Sequence, residues 1–136
     1  KREKQRKEYI SNPLSELRTT VHNRLDEEFM NKCTDIILKN IEDPEFSINV
    51  LAQELNMSRT SVFTKIKGTI GMTPNDFIKI TRLKKACKMM AEGEYRVTEI
   101  GFLVGFSSSS YFAKCFQKQF GMLPTEFIKQ LKQEGK

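Results

Sequence analysis

Residues 73–90 read TPNDFIKITRLKKACKMM, and they carry the clearest helix signal in the chain. Thr73 can cap the first turn, Pro74 stands at N1 where no amide donor is needed, and Asp76 at N3 completes an approximate capping box. Phe77, Ile80, Leu83, Ala86, Cys87 and Met90 recur at intervals of three and four, whereas Lys79, Arg82, Lys84, Lys85 and Lys88 fall mostly elsewhere around the helix. One face is therefore expected to be buried and the others wet. At about 1.5 Å per residue the element spans roughly 27 Å, enough to hold two modules at a fixed separation.

A similar pair of helices is expected on either side of this element. Upstream, Ser47 can cap a segment containing Ile48, Leu51, Ala52 and Leu55, and Asn56, Met57 and Ser58 make a turn. Ser58 caps the next helix, in which Val62 and Ile66 point inward. A short helix, a tight turn and a polar-faced second helix form a helix-turn-helix. Downstream, Val97, Ile100, Gly101 and Val104 match Ile48, Leu51, Ala52 and Leu55 at an offset of 49, and Phe112 and Phe116 match Val62 and Ile66 at an offset of 50. Ala52 and Gly101 are both small, as a close approach between short helices requires, and Ser110 is expected to face its own turn. The ends repeat most plainly: GMTPNDFIK at residues 71–79 returns as GMLPTEFIK at residues 121–129. Gly71 and Gly121 can end the second helix of each pair, and Pro74 and Pro124 can begin the next. Leu123 lacks a capping hydroxyl, so the last helix should start less firmly than the central one. Two copies with the same flanking signal mark an internal repeat.

Ahead of the repeat, residues 25–41 read as a helix with Phe29, Cys33, Ile36, Ile37 and Ile41 as its apolar stripe. Asp26, Glu27 and Glu28 favour its positive end, and Asp43-Pro44 is expected to stop it. The expected division is a linker or tail from an upstream regulatory region at residues 1–24, a first helix-turn-helix unit at 25–72, the linking helix at 73–92, a second unit at 93–132 and a tail at 133–136. The fold expected is all-α: two small three-helix subdomains joined by a long central helix.

Composition narrows the function. The 136 residues suffice for one ordinary domain or two very small ones sharing a core, and 38% hydrophobic residues with four prolines predict folding over most of the length. No apolar run approaches membrane-spanning length and no signal peptide is visible, so a cytoplasmic segment without direct membrane contact is expected. Cys33, Cys87 and Cys115 lie far apart inside apolar helical patterns and read as buried free thiols, which fits a reducing compartment. His22 reads as an ordinary surface residue. With no cysteine pair, metal-ligand spacing, phosphate-cradling loop or nucleophile with its base, neither a cofactor nor an enzyme is expected. The formal charge of +6 is segregated: residues 26–56 hold eight acidic and two basic side chains, leaving +12 for the rest. One side can meet a polyanion while another stays acidic.

Double-stranded DNA accounts for the duplication. A major groove admits a helix, and one turn of B-DNA separates equivalent groove faces by about 34 Å. In the first unit Arg59, Thr60, Phe63 and Thr64 are candidates for base readout: Arg59 can donate twice to guanine, the threonines can hydrogen-bond or touch thymine methyls, and Phe63 can touch thymine or serve as a core or interdomain contact. In the second unit Ser108, Ser109, Ala113, Lys114 and Gln117 face outward, with Lys114 able to reach guanine or phosphate. Lys65, Lys67, Arg82 and Lys118 are assigned to phosphate, and Lys84, Lys85 and Lys88 line the central helix as phosphate contacts or solvated charges.

These residues resemble the DNA-binding domain of the AraC/XylS (arabinose-operon regulator) family. The likeness covers about residues 28–130 and rests on Ala52, Ser58, Val62, Ile66, Gly71, Thr73-Pro74, Phe77, Arg82-Leu83 and Ala86, then Ile100, Val104-Gly105-Phe106, Tyr111-Phe112, Phe116, Gly121 and Pro124. The resemblance implies seven helices, two recognition helices in adjacent major-groove segments, and sequence-specific control of transcription, commonly through contact with RNA polymerase. Gly101 stands where the family usually has alanine, which should loosen that helix by up to about 1 kcal/mol. Thr64 and Lys114 occupy positions often filled by arginine. The basic run KREKQRKE at residues 1–8 is also similar to the junctions of hybrid two-component regulators, which implies upstream receiver or sensor domains and a homodimer in the full-length protein. The competing reading is a helical protein-interaction module without specific DNA binding.

Overall fold

The computed structural model describes residues 24–134. Within them the chain forms α1 (Arg24–Lys39), α2 (Ile48–Leu55), α3 (Arg59–Ile70), α4 (Pro74–Glu92), α5 (Val97–Leu103), α6 (Ser109–Phe120) and α7 (Pro124–Glu134), and no strand occurs among the described residues. Apart from Arg24, which already begins α1, the expected linker at residues 1–24 and His22 lie outside the described residues. Helix α7 continues through Glu134, two residues beyond the expected end of the second unit.

Local chemistry explains the boundaries. The Thr73 hydroxyl accepts from the Asp76 amide (3.2 Å), with Pro74 in the first turn of α4. Ser47 stands at the N-cap of α2, yet its side chain makes no cap bond; that start is held by burial of Ile48, Leu51 and Ala52 instead. Helix α1 ends before the Asp43-Pro44 pair, and at its end the Ile36 carbonyl accepts from both the Asn40 amide (3.2 Å) and the Asn40 side chain (2.8 Å). At α7 the missing hydroxyl of Leu123 is offset from the other direction: Glu126 Oε1 accepts from the Leu123 amide at 2.8 Å, half of a capping box.

Two cores form, and α4 belongs to both. Met30, Cys33 and Ile37 from α1, Leu51 and Ala52 from α2, and Val62 and Ile66 from α3 enclose Phe77 and Ile78 of α4. Beyond the middle of α4, Leu83, Ala86, Cys87, Met89 and Met90 join Ile100 of α5, Phe112 and Phe116 of α6 and Phe127 of α7. Helix α4 accordingly packs against α1 and α3 at one end and α5, α6 and α7 at the other. This division explains why its apolar stripe is wide: the buried direction rotates from one core to the next, and Ile78, Thr81, Arg82, Lys84 and Met89 are buried outside the face read from the sequence. All three cysteines are buried and none is in a disulfide. Burial pushes the Cys33 thiol up to about 12.

The two helix pairs repeat bond by bond. After α2 the Asn56 and Met57 amides donate to the Gln53 and Ala52 carbonyls (3.1 and 3.0 Å), and after α5 the Gly105 and Phe106 amides donate to those of Phe102 and Gly101 (3.0 and 2.9 Å). Asn56 and Gly105 take the same left-handed turn position, with φ of 55° and 94°. The offset grows from 49 to 50 after this point, which places the extra residue of the second turn at Ser107.

Candidate nucleic-acid interface

The orientation of α3 follows from its cap. Ser58 Oγ accepts from the Ser61 amide at 3.0 Å, Val62 and Ile66 are fully buried, and Arg59, Thr60, Phe63 and Thr64 are all exposed. Spacings of four stack Arg59 on Phe63 and Thr60 on Thr64, so the four share one side of the helix. Phe63 is 43% exposed and belongs to neither core, which removes its reading as a core contact. Lys67 is exposed in the last turn. Lys65 is exposed as well, but its Nζ lies 4.5 Å from the Phe29 ring centroid, a cation–π contact that draws it toward α1.

Helix α6 is set in the same way. Ser108 Oγ accepts from the Tyr111 amide at 3.1 Å, so Ser108 caps this helix. The cap bond takes one lone pair of the Ser108 oxygen and leaves its hydroxyl proton as a donor. Ser109, Lys114, Gln117 and Lys118 are exposed, and Ala113 is half-buried. Serine and alanine stand where α3 carries Arg59 and Phe63, while Lys114 matches Thr64. The two faces therefore present different chemistry in the same frame.

Sequence reasoning gave Tyr111 no place among the outward residues. It is 46% exposed in the first turn of α6, packs on Phe106 at 5.7 Å between centroids, and has Lys79 Nζ 5.9 Å from its ring. Its amphipathic side chain, with an apolar body and a phenolic tip, was the available signal. Lys79 brings a cation from the first turns of α4 to the edge of this surface.

Two cations of α4 do not serve the phosphate role expected of them. Arg82 is 6% exposed, and its guanidinium is turned into the protein: Nη1 donates to the Ile41 and Val104 carbonyls, each at 2.7 Å, and Nη2 to the Asp43 carbonyl at 2.9 Å. Burial pulls its pKa below the usual arginine value, with nearby Asp43 acting in the opposite direction. A buried cation is sustained here by three carbonyl dipoles at a helix end and a turn, of which that of Asp43 also accepts from the Phe46 amide at 3.2 Å. Lys84 is 1% exposed and likewise cannot reach a duplex. Lys85 is half-buried, which leaves Lys79 and Lys88 as the exposed cations of this helix.

The profile of a family described as a helix-turn-helix domain matches residues 51–130, from α2 into α7. The chain belongs to the AraC/XylS family of helix-turn-helix DNA-binding domains. Among curated relatives, histidine kinase P4 of Formosa agariphila is 38% identical over 103 residues, covering 76% of this chain and 8% of the kinase. The chain thus spans less than a tenth of that relative's length. Among solved structures, an AraC-type transcriptional regulator from Chromobacterium violaceum superposes with a TM-score of 0.73 at 23% identity, covering 80% of this chain and 96% of the other. The DNA-binding domain of AdpA, solved with a target DNA, gives 0.69 at 20% identity over 76% and 93%. These two likenesses establish the AraC-type architecture, and the side chains on α3 and α6 are this chain's own. Among the described residues no helix is long and apolar enough to cross a membrane, and no group of His, Cys, Asp and Glu could hold a metal ion.

Proposed function

We propose that this chain is the DNA-reading output unit of a transcription regulator and that it recognises a two-part duplex site, with α3 in one major-groove segment and α6 in the next. The observation that carries this reading is the pair of identically capped helices mounted on the one continuous helix α4, each turning polar and cationic side chains away from its core. Arg59, Thr60, Phe63 and Thr64 read bases in the first segment. Ser109, Lys114 and Gln117 read the second, with a donor from Ser108. Lys67 and Lys118 meet phosphate, and Lys65 joins them on leaving Phe29. Residues 25–72 and 93–132 act as the two reading units and 73–92 as their spacer.

The likeness to a small part of a histidine kinase supports an origin in a hybrid two-component regulator, with receiver or sensor domains preceding this unit. In that setting the full-length protein acts in the cytoplasm as a homodimer on repeated sites and contacts RNA polymerase. No cofactor or catalytic step enters the reading.

Selection from a randomised duplex library, followed by affinities for the winner and a shuffled control at matched salt, tests it. The expected result is a motif in two parts about one helical turn apart. Changing Arg59→Ala should relax one part and Lys114→Ala the other, each with folding intact. Equal weak binding to winner and control would favour the protein-interaction reading.

A further inference from the structure

The three carbonyls that hold Arg82 come from both units. Ile41 and Asp43 lie in the turn that follows α1, whereas Val104 caps the end of α5, at the turn of the second helix pair. A single guanidinium thus joins the middle of α4 to both helical units. Gly105 brings the second turn into the same junction: a Cβ there would overlap Arg82 Nη1 and lie 2.5 Å from the Ile41 carbonyl oxygen. Ile41 itself packs against both cores. Beside these contacts a cleft of about 440 Å³ opens between the units, lined by Pro44, Phe46, Asn75, Lys79, Gly105 and Tyr111. Apolar packing does not fill the junction there, so its geometry rests on α4, on Ile41 and on the Arg82 bonds.

From this we infer that Arg82 is a specificity-determining residue that never touches DNA: it fixes the angle between the two helix pairs and thereby the number of base pairs allowed between the two halves of the site. The inference rests on the two-part reading proposed above. Two readers held rigidly gain from each other only when the duplex presents both halves at the matching separation and rotation, and a looser joint tolerates several separations with a smaller gain at each. Each base pair added to the spacer turns the second half by about a tenth of a helical turn, so an angular constraint becomes a length preference. Arg82 is a positioning residue, because its hydrogen-bonding partners are all backbone carbonyls of the protein.

The test uses the 136-residue chain on a duplex library in which both selected halves are kept and the spacer varies in single base pairs. The wild-type chain is expected to favour one spacer by about tenfold over its neighbours. Arg82→Met keeps the long buried stem without the donors, and Arg82→Lys keeps the charge with a single donor head. Both are expected to flatten the spacer profile to within about threefold while leaving the base preferences inside each half unchanged. A wild-type chain that binds every spacer equally overturns the inference without any variant, so a failure of Arg82→Met to fold does not shelter it. A folded variant that retains the wild-type profile overturns it too. Absence of any enriched half-site removes the two-part reading itself, and the inference with it.

Discussion

The two helix pairs share one backbone design and fill it with different side chains. In the first, Val62, Ile66 and Ile70 of α3 meet Ala52 of α2; in the second, Phe112, Phe116 and Phe120 take the same positions of α6 and Gly101 replaces the alanine. The phenylalanines form an edge-to-face series, with Phe116 at 5.9 Å from Phe112, 4.7 Å from Phe120 and 5.7 Å from Phe127. Larger rings need more room, and Gly101 supplies it: a Cβ there would stand 2.9 Å from the Phe112 ring. Volume is exchanged across the contact while the turn and cap hydrogen bonds repeat, as expected where interiors are close-packed and patterning is kept. The glycine that looks like a propensity defect is thus half of a size-matched pair.

The largest expected effect comes from cutting each core at equivalent positions. Phe116→Ala should cost about 3–5 kcal/mol and Ile66→Ala about 2–5, measured by urea denaturation, with the aromatic side the more sensitive because one ring serves three neighbours. An Ile66→Ala loss well above that of Phe116→Ala would contradict this account. At the matching turn positions, Gly105→Ala should cost more than about 2 kcal/mol, since the methyl group must displace Arg82 and adopt a strained φ, whereas Asn56→Gly should change stability by only a few tenths. Next, Gly101→Ala should destabilise by about 1–3 kcal/mol through overpacking, although helix propensity alone would favour it by about 1. The double change with Phe112→Val rebuilds the pairing of the first unit and should couple favourably by about 0.5–3 kcal/mol. A Gly101→Ala chain more stable than wild type would show that Phe112 yields easily.

Smaller still, Ser58→Ala and Ser108→Ala should each cost about 1 kcal/mol, because both hydroxyls cap the helix that follows. Equal losses would mean that the caps repeat in energy as they do in geometry. The buried thiol of Cys33, pushed up to about 12, should resist alkylation in the native protein at pH 8. Unfolding releases its proton once the pH passes the ordinary thiol range, so its contribution to stability is present below that range and is lost as pH rises toward 12.

Much of this architecture was legible in the residues, and the illegible parts share a cause. Periodicity and the repeated Gly-Met-x-Pro signal located all seven helices, and Ser58, Thr73 and Pro74 set two starts closely. Periodicity describes one helix against one core, so it read Arg82 and Lys84 as outward cations on a helix that in fact changes cores midway. Arg82 finds its acceptors about forty residues upstream and about twenty downstream. No local pattern carries such a contact. The left-handed Gly105 beside it was equally silent, since its necessity comes from the guanidinium and the Ile41 carbonyl that press on it. The capping role of Ser108 is illegible for a nearer reason: among consecutive serines the cap is chosen by where the turn ends, and the extra residue at Ser107 moves that point.

Helix α4 has a further consequence for how the molecule opens. Its first turns are dry only while α1 to α3 are in place, and its last turns only while α5 to α7 are. Fraying of either unit should therefore expose amides from one end of the same helix to hydrogen exchange. The stretch around Thr81, Arg82 and Leu83, where the Thr81 hydroxyl donates to the Phe77 carbonyl at 2.8 Å, has shelter from both directions. Its amides should exchange last, through global unfolding alone, so that the slowest protons of the chain mark the seam between its two halves.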